Sequence, residues 1–488
     1  MAKKPSTTHD FVMSIRKCAR AIMRMGQDDP IFVFSHIDAD GLAAASILAS
    51  LLTRLNKPFI MYFQPQIVPE TFQDLWNNLE PKYAIFLDLG TDTPSKIIED
   101  SPQVEMAAII DHHICLRDLT EDPRISVANP RVHGIDGGAE ICSAGVAYLI
   151  AHAFSKNLSG IGSLARFAII GAIGDSQDVG RDRSLIGLNR MIVDYAKRLG
   201  VVTEQRDLLF IGRGIKPLYR LLAELFTIEI PGISGSYDGA LDFLTSSGVL
   251  DQKDIETTYL DDLPRQKKDL LRKKLIERIM IQSPGKYTIE TIDSVIMGMT
   301  YKFQAERRKA FMYARDSALL LNACGKMKKP HIGVAALLSR GSRKYYEEVI
   351  KLYDRYRALI ANTIRHMEER IERRENILAI FDGRDLMHEE LASTVCSIMS
   401  VAYSQNVDIV MVVARSLGNI LKVSLRKTQG SRIDDLAGVL SRVLERMKWA
   451  SGGGHEAAAG AYVLEEEYLS LIHISEPTRP RLISYAVF

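Results

Sequence analysis

Cysteine is scarce in this chain of 488 residues: there are five, at positions 18, 115, 142, 324 and 396, scattered and without CxxC spacing. That pattern excludes a disulfide framework and a zinc knuckle, and it suits buried thiols in a reducing compartment. Net charge is almost absent as well, with 62 Lys and Arg against 60 Asp and Glu, so any surface for a polyanion has to be a local patch. Long apolar runs are also missing. No stretch reaches the length of a membrane span, and the opening MAKKPSTTHD leads into a mixed, charged helix with no apolar signal core. These absences lead to the expectation of a cytoplasmic protein with no membrane partner. With 47% hydrophobic and 25% charged residues the chain reads as globular, and it is too long for one core, so two or three domains are expected.

Acids, by contrast, collect in particular places. The run Ile31 to Phe34 reads as a short buried strand, and it leads into HIDADG, His36 to Gly41, before the helix-forming GLAAASILASLL. Two carboxylates and an imidazole at a strand end are costly to desolvate unless a cation sits among them. The alternative is an ordinary capping turn, in which Asp40 caps the helix and Asp38 is solvated. The pattern then recurs. YAIFL ends in Asp88, EMAAII ends in Asp111, His112 and His113, and the helical run ARFAIIGAIG delivers Asp175 and Asp178. Ligands of open α/β sheets bind outside the carboxyl ends of strands, so these acids are expected to converge on one crevice. Gathered carboxylates without a cation repel and neutralise, which favours a metal. Carboxylates and imidazoles without thiolates suit Mn²⁺ best and Mg²⁺ less well. For Asp178, one helical turn beyond Asp175, a salt bridge is an equal alternative.

Strand and helix alternate from residue 30 onward, which implies a mainly parallel sheet covered on both faces. An amphipathic helix precedes it within residues 1–29. Residues 236–375 read as a helical insert and connecting helix, including Gln266–Met280 and a long helix over Lys344–Glu375. Inside this region Arg307, Arg308, Lys309, Arg315, Lys326, Lys328 and Lys329, interleaved with Phe311 and Tyr313, form a basic cluster that suits a phosphate backbone. Strands return at ILAIFD, VDIVMVVARS and NILKVSLRK, defining a smaller α/β domain over 376–465. There Gly452, Gly453 and Gly454 offer either a flexible turn or an anion-binding nest of N–H groups, with His455 immediately after them and Arg426 on the preceding strand run VSLR. The tail, residues 466–488, continues no pattern from about Leu469 and reads as disordered or as translated adapter sequence.

In order, HIDADG, DLG, DHH and GDSQD resemble the four motifs of the DHH phosphoesterase superfamily, and SGGGHEAAAG at Ser451–Gly460 resembles the signature of the DHH-associated C-terminal domain. The pairing is similar to RecJ-type single-strand exonucleases. ARDSALLLNACGKM and NPRVHGIDGGAEICSAGVAYL look most like the archaeal branch. One position departs, since His36 stands where bacterial RecJ proteins usually carry Asp. The resemblance implies a parallel-sheet DHH catalytic domain over 30–235, joined through the helical insert to the C-terminal substrate-binding domain. It implies that His36 and Asp38 hold one Mn²⁺, that Asp40, His112 and Asp175 hold a second, and that Asp88 bridges them. Asp111 then orients a histidine, His113 faces the scissile phosphate, and Arg426, the three glycines and His455 hold the substrate strand. The implied activity is exonucleolytic hydrolysis of single-stranded DNA or RNA to nucleoside monophosphates. A dinucleotide phosphodiesterase and a replication scaffold are the alternatives, and docking to the GINS complex is the implied protein partnership.

Overall fold

A computed structural model of the chain describes residues 8–468 except 27–28, 68, 116–118, 226–227, 229, 286, 340–341, 369, 375–376, 404–406, 417, 429–430 and 448. The tail beyond 468 therefore lies outside the described residues. Two compact units are formed, the first from residues up to Leu222 with Tyr237–Tyr353, the second from Ala223–Ser236 with Asp354 onward.

The first unit opens with α1 (Thr8–Arg24), which buries Phe11, Ile15, Cys18 and Ile22 along one face. There follow β1 (Ile31–His36), α2 (Ala39–Arg54), β2 (Phe59–Gln64), α3 (Pro69–Leu79), β3 (Tyr83–Leu87), α4 (Asp92–Glu99), β4 (Met106–Ile110) and β5 (Ile125–Ala128). The strands pair in parallel in the order β2-β1-β3-β4-β5. The order reverses at β1, with β2 on one side and β3 on the other, and such a reversal opens a crevice at the carboxyl ends. On one face Phe34, Phe72, Trp76 and Phe86 pack together, and each such fully buried side chain contributes about 1.5–3 kcal/mol. Helix α2 is apolar all round and buried from Ala39 to Leu52, as a helix of that composition must be. It packs against α5 (Ser143–His152) and α6 (Ala165–Gly174).

The rest of the unit comprises α7 (Gly187–Arg198), β6 (Val202–Leu208), α8 (Leu218–Ala223, whose last residue belongs to the second unit), α9 (Tyr237–Ser246), α10 (Arg265–Gln282), α11 (Ile289–Ile296), β7 (Met297–Phe303), α12 (Ala314–Lys326), α13 (Pro330–Leu338) and the first part of α14 (Arg343–Glu368). The expected helical insert thus contains a strand, β7, antiparallel to β6. The expected basic cluster is divided. Phe311 and Tyr313 are buried, Arg308 clasps Glu306, and Arg315 donates to Asp178 at 2.6 Å. Asp178, also held by Arg183 at 2.8 Å, is therefore a buried salt-bridge anchor.

In the second unit α14 ends at Glu368, earlier than its periodicity predicts, and IERR forms an edge strand, β8 (Ile371–Arg374). It is followed by β9 (Leu378–Asp382), α15 (Glu389–Ala402), β10 (Ile409–Arg415), β11 (Ile420–Lys427), α16 (Leu436–Leu444), β12 (Ala450–His455) and β13 (Ala458–Leu464). The sheet runs β12-β13-β11-β10-β9-β8, with α16 on one face over a core of Leu421, Val423, Leu425, Ala461 and Val463. Tyr468 is buried in that core, so this domain reaches 468 and does not end at 465.

Candidate metal centre

Strand ends deliver the side chains. His36 closes β1, Asp88 follows β3, and Asp111, His112 and His113 follow β4, while Asp175 caps the end of α6. Asp38 accepts the Gly41 N–H at 2.9 Å and N-caps α2. Asp40 is buried two residues further on, and its oxygens accept the N–H groups of Ser143 (2.7 Å) and Ala144 (2.9 Å) at the start of α5. The capping alternative is thereby reversed, because Asp38 takes the cap and Asp40 points inward. Glycine is obligatory at 41, where a Cβ would stand 2.4 Å from the His36 carbonyl oxygen.

Asp88 is the hub. It is buried with φ +60, a left-handed conformation that costs a non-glycine residue energy and persists only where its surroundings hold it. Its Oδ1 accepts from Ser143 Oγ at 2.9 Å and lies 3.3 Å from His112 Nε2, while Oδ2 faces His36 Nδ1 at 3.4 Å. The donor atoms of His36, Asp38 and Asp88 lie within 4.8 Å of one another, and so do those of Asp88, His112 and His113. Asp88 belongs to both triads. His112 Nδ1 is 2.6 Å from the Gly137 carbonyl, which can only accept, so Nδ1 carries a proton, while Nε2 faces Asp88 and, at 4.0 Å, Asp40, whose charges together with Asp175 favour the charged ring over the cost of its burial. Asp175 lies 3.7 Å from the Nδ1 side of the same ring. Asp111 receives His113 Nδ1–H at 2.8 Å, which leaves Nε2 of this half-exposed ring free.

The centre is rich in negative charge. Among the described residues none of Asp38, Asp40, Asp88, Asp111 and Asp175 pairs with Lys or Arg. Burial works against a charged His36 ring, yet Asp38 and Asp88 outweigh it and push this imidazole up to about 10. Burial, helped by the Asp88 charge, lifts Asp40, and burial lifts Asp175 to about 6. Asp88 itself is held well below the usual carboxylate range because two histidines overcome its burial. His36 Nδ1 and Asp88 Oδ2 are buried side by side without hydrogen-bond partners. Burial also pushes the neighbouring Cys142 thiol far up, so it stays protonated and adds no thiolate. Unmatched carboxylates, orphaned donor atoms and an oxygen and imidazole donor set all fit a divalent cation such as Mn²⁺ or Mg²⁺.

Residues 30–172 match the model of the DHH family N-terminal domain, and residues 209–293 match the DHH-CID domain. The chain belongs to the DHH superfamily. A curated relative, an uncharacterized protein of Methanocaldococcus jannaschii, is 27% identical over 445 residues, 90% of each chain. The fold is also that of CDC45 from Entamoeba histolytica (TM-score 0.61, 13% identity, 95% of this chain and 98% of that one). It is shared with RecJ from Thermus thermophilus in complex with Mn²⁺ (TM-score 0.57, 17% identity, 94% of this chain and 54% of that one). A further match is an exonuclease RecJ bound to manganese (TM-score 0.54, 18% identity, 100% and 97% of the two chains).

Sequence reasoning missed the supports of the DHH motifs. Thr91 Oγ1 donates to Asp111 at 2.9 Å, and Asn129 Nδ2 donates to Thr91 Oγ1 and to the His113 carbonyl, each at 2.9 Å. Gln177 Nε2 donates to Asp175 at 2.8 Å, and Asn189 donates to the Gln177 oxygen at 2.6 Å. Thr91, Asn129 and Gln177 are uncharged groups beside or between the motif acids, and only that adjacency signalled them, while Asn189, beyond the last motif, carried no signal in the sequence. In the second unit of this DHH protein the triple glycine is neither turn nor nest, because it lies extended in edge strand β12 and none of the three has positive φ. A nest needs successive N–H groups on one side, whereas an extended strand alternates them. A Cβ on Gly452 would press Leu444 and Ala461 at 2.8 Å, and one on Gly454 would stand 2.3 Å from the Ala458 carbonyl, but one on Gly453 meets open space. Arg426, opposite Ala458 in the ladder, donates to Ser397 Oγ at 3.1 Å. The side chain of His455 lies outside the described residues.

Proposed function

We propose that the chain is a two-metal phosphodiesterase that degrades single-stranded DNA or RNA from an end to nucleoside monophosphates. Membership of a phosphoesterase superfamily supports the coarser reading of a metal-dependent hydrolase. The single observation that carries the finer one is Asp88, shared between two donor triads whose atoms sit within 4.8 Å. In this reading His36 and Asp38 hold one ion, Asp40, His112 and Asp175 hold the other, and Asp88 bridges. Bound Mn²⁺ or Mg²⁺ supplies charge neutralisation at a phosphodiester and acidifies water at neutral pH.

The protein's own groups do the rest. Ser143 and the start of α5 fix Asp88 and Asp40. Asp111, itself held by Thr91, fixes the His113 tautomer so that its Nε2 meets the reacting phosphate and moves a proton there. Arg426, Gly452, Gly453, Gly454 and His455 are proposed to hold the strand's phosphates, with Gly453 giving the backbone its closest approach.

The test is cleavage of end-labelled DNA and RNA oligomers with and without Mn²⁺. A ladder ending in monophosphates is expected, and no cleavage with any divalent ion would overturn the enzyme reading. A replication scaffold is the second reading, supported by the fold shared with CDC45 across 95% of this chain. Docking to a GINS complex belongs to that reading and is checked by co-purification of the two.

A further inference from the structure

The sheet of the second unit has one face packed and one partly open. Ala450 and the Cβ directions of Gly452 and Gly454 go with α16 and the core. Strand alternation therefore puts Ser451, Gly453 and residue 455 on the other face, level with Tyr462, Gly460 and Ala458 of β13 and with Lys422, Ser424 and Arg426 of β11. Helix α15 covers β10 and β11 on that side and buries Ser424, but Ser451, Gly452, Gly453 and Gly454 remain exposed.

Trp449 stands one residue before β12, at a bend that leads directly into the exposed run Ser451–Gly454. It is 38% exposed, and its backbone N–H donates to the Glu467 carboxylate at 3.3 Å. Lys422 Nζ lies 4.0 Å over the Tyr462 ring, so that aromatic holds a cation beside the glycine strand and is not itself a free stacking surface. Tyr462 is fixed in turn by its hydrogen bond with Glu389. A partly exposed indole thus leads into the edge strand, and along the strand's open face occur a cation held on a tyrosine, a further guanidinium at Arg426 and a strip of backbone with no side chain. An indole takes a base by its flat side, the two cations take phosphates, and the bare strip admits the sugar-phosphate chain. A folded protein partner would use the indole but has no need of the two cations in register with bare backbone.

We propose that Trp449 is a stacking platform for an unpaired nucleobase, with Lys422, Arg426 and Gly453 holding the adjoining phosphates, so that this face selects strands whose bases are exposed. The inference rests on the nuclease reading above and adds the element that distinguishes single strand from duplex.

Its test exploits the tryptophan content of the chain, which is two. Trp76 is fully buried among Phe34, Phe72 and Phe86, so a ligand-induced fluorescence change reports Trp449. The full chain in EDTA is titrated with a short oligothymidylate and with an abasic oligomer of the same length and charge. The expected result is quenching by the first and not by the second. Anisotropy of labelled oligothymidylate should show Trp449→Ala binding about tenfold more weakly or worse, with Trp449→Phe restoring most of the loss. The abasic oligomer should bind all three proteins alike. Equal quenching by both oligomers, or unchanged affinity in Trp449→Ala, overturns the stacking role while the nuclease reading stands. If neither oligomer binds at all, the nuclease reading fails first and this inference with it.

Discussion

The carboxylate centre of the first unit and the glycine strand of the second are built on opposite plans. At the centre each functional atom is held from several directions. Asp88 sits in a left-handed conformation between two histidines and a serine, Asp40 is gripped by the start of a helix, and Gly41 exists because nothing larger fits. At the glycine strand the important property is vacancy, since Gly453 meets nothing. A site that must hold small, highly charged ions gains from rigid, overdetermined donors, whereas a site that must let a flexible polymer slide gains from having little in the way.

That contrast breaks at its first point if Asp88→Ala retains activity. Cleavage should fall to background in this variant while its circular dichroism stays native. The stabilisation that Mn²⁺ gives the wild type in a thermal melt should also vanish, because ligand binding raises stability only where the native state binds. A smaller loss is expected for Gln177→Ala, which frees Asp175 without removing a donor. Mn²⁺ affinity measured by calorimetry should drop about 10- to 100-fold, the usual effect of removing an outer partner of a ligand. Gly41→Ala must displace backbone and should lower stability in urea unfolding by about 1–3 kcal/mol, the range for forced overpacking.

The sharpest comparison lies within three residues of β12. Gly452→Ala pushes into Leu444 and Ala461 and should also cost about 1–3 kcal/mol. Gly453→Ala should leave stability within about 0.5 kcal/mol, as open surface positions do, and weaken oligonucleotide binding instead. Equal stability losses in the two variants would mean that the glycines share one structural role.

Much of the parallel sheet was legible because a buried strand flanked by helices writes itself as a short apolar run, and the acids stand where those runs stop. His36, Asp88 and Asp111 were readable for that reason. Their order in space was not, since whether Asp38 or Asp40 takes the helix cap depends on Ser143, more than a hundred positions away, whose N–H and hydroxyl reach both Asp40 and Asp88. The basic run around Arg308 misled because sequence shows charge and hides partners, and Glu306 and Asp178 had already claimed two of its arginines. The glycine run misled for a similar reason. Three glycines read as freedom to turn, yet two of them are demanded by close packing in a straight strand.

The second unit is discontinuous along the chain, with Ala223–Ser236 belonging to it although Tyr237–Tyr353 belong elsewhere. During synthesis that early stretch leaves the ribosome well before Asp354 and the strands after it, and it must wait without its companions. Expressing the chain from Asp354 onward would therefore yield a unit lacking one of its own pieces. A faithful excision has to supply residues 223–236 as well, either as a separate peptide or through a short designed bridge.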